Sequence, residues 1–209
     1  MSDSLDQIAA EVRACQKCPL GRSRKNAVPG EGPANARIVF VGEGPGFHED
    51  LQGRPFVGAS GQYLEELLAE IKLTRYQVYI ANVIKCRPPG NRDPEPAELA
   101  ACRDYLDRQI ALIRPSVVVT LGRYSMERYF PGQSISRIHG HPKRSGETYY
   151  LPMFHPAAAL RNPAWRKEMS TDMRRIPTLL AELDATQVQR EPQPDEPDGG
   201  DKFEQLSLF

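Results

Sequence analysis

The chain has 209 residues, which is enough for one domain with a sizeable core and too few for two ordinary domains. Its 27 basic and 27 acidic residues balance to a formal net charge of zero, so charge alone does not demand a polyanionic partner. No stretch approaches the roughly 20 apolar residues of a membrane-spanning helix, and no apolar signal sequence follows Met1. We therefore expect a cytoplasmic protein.

Short β-like runs alternate with helical patterns along the chain, and the runs cover residues 37–41, 77–83, 116–121 and 149–154. Two apolar stripes have helical spacing, namely Leu5, Ile8, Ala9 and Val12, and Leu64, Leu67, Leu68 and Ile71. Asp93 followed by Pro94 predicts the N-cap and first position of a further helix, on which Cys102 faces inward. This alternation predicts an α/β fold of three layers, α/β/α, around a mostly parallel four-stranded sheet.

The composition changes near residue 184, where apolar periodicity gives way to a tract rich in Pro, Asp, Glu and Gly. Such a tract cannot bury enough apolar surface to offset the entropy of ordering its chain. We therefore predict a domain at residues 1–184, a flexible acidic linker at 185–203 and a short terminal peptide at 204–209.

Four cysteines, Cys15, Cys18, Cys86 and Cys102, are the entire thiol content of the chain. A Cys-x-x-Cys pair with two isolated cysteines suits an iron-sulfur cluster, which takes four thiolate ligands. Two alternatives stay open at this point. Structural zinc also binds four thiolates, usually as two close pairs, and buried thiols can simply pack in a reducing cytosol.

Polar residues follow three of the four predicted strands, where chemistry collects in open α/β sheets. The first strand leads into Gly42-Glu43-Gly44-Pro45-Gly46, then Glu49 and the segment Arg-Pro-Phe-Val-Gly at 54–58. The second leads from Asn82 into Lys-Cys-Arg-Pro-Pro-Gly-Asn-Arg at 85–92, and the fourth into His-Pro-Ala at 155–157. The glycines superficially match a dinucleotide fingerprint, but Pro45 interrupts the loop and no standard helix is expected to follow. We do not expect a nucleotide cofactor.

These motifs and the cysteine quartet, taken in this order, resemble the iron-sulfur-containing uracil-DNA glycosylases, often called family four. The resemblance covers roughly residues 10–182. It implies an enzyme that flips uracil out of DNA and hydrolyses its N-glycosidic bond, leaving an abasic site for base excision repair. It also implies a 4Fe-4S cluster on Cys15, Cys18, Cys86 and Cys102. The alternative is a non-catalytic, cluster-bearing DNA-binding module that a sliding clamp recruits.

The resemblance assigns the recognition of uracil to residues of the first two loops. Phe56 would stack on the flipped base, and the planar amide of Asn82 would pair with uracil O4 and N3–H. Glu49 would lie near uracil C5 and exclude the methyl group of thymine, with Gly44 beside it in the substrate site. A core aromatic and an amide that caps a strand end are the structural alternatives for Phe56 and Asn82.

Two further residues would handle the charges that form as the glycosidic bond breaks. His155 would donate a hydrogen bond to uracil O2, and Glu43 would orient the attacking water and offset positive charge on the sugar. In the better-known glycosylases an aspartate follows the residue that corresponds to Glu43, whereas this chain has Gly44. A loop cap and a surface turn are the alternatives for His155 and Glu43.

DNA contacts are expected from exposed residues of the same loops. Leu160, with Arg161 beside it, would lie at a loop tip and fill the gap left by the flipped base, while Arg87 and Arg92 would contact phosphates. Solvated surface charges explain these arginines nearly as well. Residues 89–94 contain no histidine, which favours hydrolytic turnover over the covalent capture seen in a related branch of the family.

The last five residues, Gln-Leu-Ser-Leu-Phe at 205–209, resemble the short peptide by which bacterial repair proteins bind the sliding clamp. The residues of this peptide expected to contact a clamp are Gln205, Leu206, Leu208 and Phe209. The other interpretation is a terminus that folds back onto its own domain. We expect a monomer whose partners are uracil-containing DNA and a bacterial sliding clamp.

Overall fold

The computed structural model of the protein describes residues 3–188. The strands are β1 Ile38–Gly42, β2 Tyr79–Asn82, β3 Val117–Leu121, β4 Lys143–Ser145 and β5 Thr148–Met153. The helices are α1 Leu5–Ala14, α2 Leu20–Ser23, α3 Phe47–Gln52, α4 Ala59–Glu70, α5 Pro96–Ile113, α6 Arg123–Glu127, α7 Ile135–Ile138, α8 Pro156–Arg161, α9 Ala164–Met173 and α10 Arg175–Val188. Short 3-10 turns cover Arg75–Gln77 and Pro89–Asn91.

The strands form one sheet in the order β2-β1-β3-β5-β4, in which β4 alone runs antiparallel to its neighbour. The predicted mostly parallel sheet is confirmed, with five strands instead of four. β4 escaped prediction because its three residues, Lys-Arg-Ser, are all exposed and carry no apolar alternation. It pairs through the hairpin that turns at Gly146, which has a φ of +60°.

Helices cover both faces of the sheet, and alternate residues of each strand face opposite layers. Phe40 and Val119 pack with apolar residues of α4, α8, α9 and α10. Val39 and Val118 pack on the other side with α5 and α1. β1 and β3 are buried throughout and consist almost entirely of apolar residues, with Thr120 as the polar exception, as is typical of central parallel strands. The three-layer architecture is therefore confirmed.

Several predicted boundaries differ from the structure. The predicted helix start at Asp93 was wrong: α5 begins at Pro96, because the Glu98 side chain accepts the backbone N–H of Glu95 and makes Glu95 the N-cap. The prediction that no helix follows the glycine loop was also wrong. α3 opens at Phe47, with Glu49 accepting the N–H of Gly46.

The C-terminal boundary also differs. α10 runs to Val188, so residues 185–188 are helical and do not belong to the linker predicted from 185. Ala-Thr-Gln-Val at these positions includes neither proline nor glycine, and the next proline after them is Pro192. The remaining linker and the peptide at 204–209 lie outside the described residues. None of the helices within residues 3–188 is both long and apolar enough to span a membrane.

Candidate active site

A pocket of about 390 Å³ opens at the carboxyl ends of β1, β2 and β5. Side chains far apart in the sequence meet there because parallel strands deliver their carboxyl ends to one edge of the sheet. The predicted site residues that line it are Glu43, Gly44, Glu49, Phe56, Asn82, Arg92, His155 and Arg161. Arg87 and Leu160 are not part of this lining.

Asn82 lies at the end of β2 with 2% of its surface exposed. Its side-chain Oδ1 is buried and has no hydrogen-bond partner among residues 3–188. A Cβ on Gly42 would lie 2.4 Å from this oxygen and 2.7 Å from the Phe56 ring. The absent side chain of Gly42 thus leaves room for an amide and an aromatic face to approach each other. An unpaired buried acceptor is costly unless a ligand supplies its donor.

The His155 imidazole serves as the N-cap of α8. Its Nδ1 accepts the backbone N–H of Ala157 at 3.1 Å, which leaves the ring proton on Nε2. Burial lowers the pKa of His155 to about 4, so the ring stays neutral at ordinary pH. It stacks near Phe56 with ring centroids 5.7 Å apart. His155 therefore offers a neutral N–H donor whose orientation the helix fixes.

Glu43 follows β1 and shares this end of the pocket with His155. Its Oε1 accepts the backbone N–H of Tyr124 at 3.1 Å, and burial raises the pKa of the carboxyl above its usual value of 4.5. Gly122, at the end of β3, has a φ of +95°, and a Cβ there would lie 2.6 Å from Glu43 Oε1 and 3.2 Å from His155 Cβ. Sequence reasoning missed Gly122. The only available signal was its position directly after a strand.

The sequence of the chain matches a known family. The family model for the uracil DNA glycosylase superfamily matches residues 29–176. The type-4 uracil-DNA glycosylase of Saccharolobus solfataricus is 47% identical over 86% of this chain and 88% of its own length. The type-4 enzymes of Sulfurisphaera tokodaii (49% identical, 85% of each chain) and Archaeoglobus fulgidus (46%, 88% of this chain and 97% of the relative) are similar. The chain belongs to the type-4 uracil-DNA glycosylases.

In this type-4 chain the Glu49 carboxylate is already engaged by the backbone. It accepts three N–H groups, from Gly46 at 3.1 Å, Val57 at 2.9 Å and Gly58 at 3.0 Å. Glu49 therefore joins the loop that begins α3 to the segment that carries Phe56. Its predicted contact near uracil C5 stays a prediction.

The predicted DNA-binding residues of the type-4 chain are two arginines that already have partners in the domain and two exposed residues of α8. Arg92 forms a two-pronged ion pair with Glu98 at 2.6 and 2.9 Å, so a phosphate would compete with a buried carboxylate for it. Arg87 donates to Asn91 at 2.7 Å and lies over the Phe47 ring.

Leu160 and Arg161 are exposed, but they lie on α8 and not on a loop tip as predicted. Pro156 at the first position of α8 explains this helix.

The four cysteines line a second cavity together with Arg24 and Lys85. Arg24 Nη1 donates to Cys86 Sγ at 3.0 Å, a positive partner that suits a thiolate ligand. No group of three or more Cys, His, Asp or Glu side chains within residues 3–188 converges closely enough for a single metal ion. Four thiols that line one cavity supply the ligand set of a 4Fe-4S cluster and equally that of a zinc site made of four thiolates.

Proposed function

We propose that the protein excises uracil from DNA by flipping the base into the pocket and hydrolysing its N-glycosidic bond. The abasic site that remains would enter base excision repair. The observation that carries this proposal is the buried Oδ1 of Asn82, which lies beside the Phe56 ring and has no hydrogen-bond partner within the described part of the chain. Membership of the type-4 family supports the same reaction. The alternative of a non-catalytic module recruited by a clamp finds no support in that membership.

Uracil is recognised through the acceptor and donor groups of the Asn82 amide. Asn82 Oδ1 accepts uracil N3–H, while its NH₂ donates to uracil O4. Cytosine has an acceptor at N3 and an amino group at C4, so it would leave both amide groups unpaired in a buried site. The Phe56 ring supplies the apolar face on which a base removed from the duplex stacks.

Bond breakage builds negative charge on uracil and positive charge on the sugar. The bond between C1′ and N1 breaks with its electron pair moving to uracil, and His155 Nε2–H donates to O2 as that charge develops. One preorganised donor of this kind contributes about 3 to 4 kcal/mol to the transition state. The water oxygen bonds to C1′ while Glu43, as a carboxylate, orients the water, accepts its proton and offsets the sugar charge.

Asn82→Ala tests the observation on which the proposal rests, the buried amide of Asn82. We expect single-turnover cleavage of uracil-containing DNA to fall by about 100-fold or more, because the variant loses both base contacts. Strand breaks at uracil after alkali treatment measure the product. Thr120→Val is the matched control, since Thr120 Oγ1 is also buried and has no partner among the residues that the structure describes, but lies outside the pocket lining. Full activity in Asn82→Ala would contradict the assignment.

The cysteine cavity supports a second part of the proposal, namely that Cys15, Cys18, Cys86 and Cys102 hold a 4Fe-4S cluster. When bound, the cluster supplies four iron–thiolate bonds that connect separate chain segments. Cys15 and Cys18 belong to the N-terminal segment, whereas Cys86 follows β2 and Cys102 lies on α5. The role we propose is therefore structural.

A clamp-binding role for the terminal peptide is proposed on sequence alone. Sixteen residues, 189–204, separate α10 from the peptide at 205–209. A flexible chain of that length spans about 23 Å, enough to hold the enzyme beside a ring on DNA and raise its local concentration. The proposed contacts are Gln205, Leu206, Leu208 and Phe209. The cytoplasmic location and the monomeric state stay predictions.

Deletion of residues 205–209 tests this role. We expect the truncated protein to lose binding to a purified bacterial sliding clamp in a surface-immobilised assay. Its cleavage of a short, free uracil-containing oligonucleotide should stay within about twofold of the full chain, because the pocket is untouched. Ser207→Ala is the control within the same peptide and should keep most of the binding. Clamp binding by the truncated protein would refute the docking proposal.

A further inference from the structure

Phe56 has an unusual backbone for a residue with a side chain. Its φ is +52°, in the left-handed region that favours glycine. Four non-glycine residues in the described chain have positive φ, and Phe56 is the buried one, with 6% of its surface exposed. Such a conformation is unfavourable for a residue with a Cβ and persists only when its surroundings impose it.

Hydrogen bonds hold the backbone of Phe56 from both directions. After Phe56, Glu49 Oε1 accepts the N–H groups of Val57 and Gly58, and Arg75 Nη1 donates to the Phe56 oxygen at 3.1 Å. Before Phe56, Arg75 Nη2 donates to the Pro55 oxygen at 2.9 Å. Together these contacts fix the peptide groups before and after the strained residue.

Arg75 is itself held in place. Its side chain is 10% exposed, and its Nη1 also donates to Glu65 Oε1 at 2.8 Å on α4. Its Nε lies 3.5 Å from Glu31 Oε1, and Glu31 binds Arg54 on the other side. An arginine with so little freedom supplies a directional, charge-assisted fork at little further entropic cost.

The constrained backbone determines where the Phe56 ring lies. The ring approaches Gly42 so closely that a Cβ on that glycine would be 2.7 Å from two ring carbons. The same Cβ would also meet Asn82 Oδ1, the proposed reader of uracil N3–H. A change in φ at Phe56 swings the ring about its own backbone and separates it from the amide.

We propose that Arg75 is a positioning residue for base recognition, which acts with Glu49 to hold Phe56 in the left-handed conformation that presents its ring to the flipped uracil. Arg75 is not part of the pocket lining, so it acts through Phe56. This inference rests on the proposed function for its ligand, although the placement of the ring does not depend on catalysis. It also gives Glu49 a role that needs no contact with uracil.

The first experiment measures Arg75→Gln on uracil-containing DNA. We expect kcat/KM to fall roughly 10- to 100-fold, because one neutral amide replaces a charged fork that makes two hydrogen bonds to the backbone. Arg75→Lys, which keeps the charge and one bond, should recover part of the loss. Arg37→Gln is the matched control: Arg37 makes a similar two-pronged ion pair with Asp184 but lies away from the pocket. It should retain activity within about twofold.

A double-mutant cycle separates positioning from general stability. If Arg75 acts through the Phe56 ring, Arg75→Gln should cost less than about twofold when introduced into a Phe56→Ala background. Losses that multiply independently would overturn the proposal. The comparison uses ratios between variants, so an inactive wild-type protein would refute the proposed function and not this inference.

A structural readout covers the case in which activity is absent or a variant is marginally stable. One α-hydrogen of Gly42 points at the Phe56 ring in this geometry, so it should carry a ring-current shift in the NMR spectrum of the full chain. That shift should be lost or reduced in Arg75→Gln and Arg75→Lys and retained in Arg37→Gln. An unchanged Gly42 signal in both Arg75 variants would overturn the proposal.

Discussion

The imidazole of His155 shows how one residue can serve structure and chemistry together. The sequence left open whether this histidine caps a loop or contacts the base. In the structure its Nδ1 caps α8, and that same bond leaves the proton on Nε2, the atom available to a ligand. The cap therefore selects the tautomer that the proposed reaction needs, so the two interpretations do not compete.

Glu43 and His155 differ in how burial changes their ionisation. Burial raises the pKa of Glu43, an acid, and lowers that of His155, a base, to about 4. Both shifts favour the neutral forms. Only Glu43 must be charged to act as proposed, because His155 donates from its neutral ring.

The expected pH profile follows from these directions. Activity that needs the Glu43 carboxylate is present at high pH and is lost as the pH falls through the raised pKa, at a value above 4.5. His155 stays neutral in that range, so the acid limb should belong to Glu43. Single-turnover rates should fall about tenfold for each pH unit below that pKa.

Two variants test this assignment. Glu43→Gln should cleave slowly, at a rate that does not change with pH in this range. Glu66→Gln, which removes an exposed carboxyl on α4, should keep the loss of rate at low pH. A limb retained in Glu43→Gln would contradict the assignment.

At the scale of elements, the pocket is built from strand ends and the short turns that follow them. β1 ends in Gly42 before Glu43, β3 ends before Gly122, and β2 ends in Asn82. The two glycines matter through the space they leave: Gly42 lies between an amide and a ring, and Gly122 lies beside the Glu43 carboxylate and the Cβ of His155. The side chains can converge only because the backbone beside them is bare.

Gly122→Ala tests whether the bare backbone at the turn from β3 to α6 is needed for this convergence. Its new methyl group would meet Glu43 Oε1 at 2.6 Å, and its φ of +95° is unfavourable for any side chain. We expect a loss of about 1 to 2 kcal/mol in the free energy of unfolding and at least about a tenfold loss in the rate of uracil excision. Urea unfolding and single-turnover cleavage measure the two effects.

Gly132→Ala provides the control, because Gly132 has a φ of +71° but an added Cβ there would have no atom of residues 3–188 within 4 Å. It should show a similar loss of stability with no change in cleavage rate. Equal losses of activity in both variants would indicate that backbone strain, and not contact with Glu43, explains the effect.

At the scale of the whole molecule, the N-terminal segment is attached to the sheet through α5. Ile8 and Val12 of α1 pack on Tyr105 in a small apolar cluster, and Arg108 binds Asp3 and Glu11. The cysteine cavity lies next to this contact. A cluster there would add covalent connections where the apolar contact is small, which is where they stabilise most.

Removal of the proposed cluster should therefore weaken the fold. We expect protein purified without air to absorb visible light and to hold about four irons per chain. Cys102→Ser should lose that absorbance and melt about 10 °C lower, which corresponds to about 3 kcal/mol in a domain of this size. Iron and zinc analysis with thermal unfolding measures both. A colourless wild type with stoichiometric zinc would instead support the zinc site that the sequence left open.

By itself, the sequence determined the three-layer α/β/α architecture of this protein and several of the residues that line its pocket. Apolar runs of strand length and helical stripes predicted the parallel sheet, because the spacing of apolar residues records which face is buried. The residues after the strands predicted Glu43, Asn82 and His155 as neighbours, because parallel strands end together. The short exposed β4 and the helices α3 and α8 carried too little periodicity to be read.

Only the tertiary structure decided how the groups in that pocket are paired. In the structure the Glu49 carboxylate accepts hydrogen bonds from three backbone amides, Arg92 pairs with Glu98, and Asn82 Oδ1 has no partner in the described region, residues 3–188. The tertiary structure also placed Gly122 beside Glu43 and Arg75 against the backbone of Phe56, although no local sequence pattern predicts either contact. Hydrogen-bond partners and close approaches depend on distances between segments that the chain order does not contain, which is why such residues are found only after folding is known.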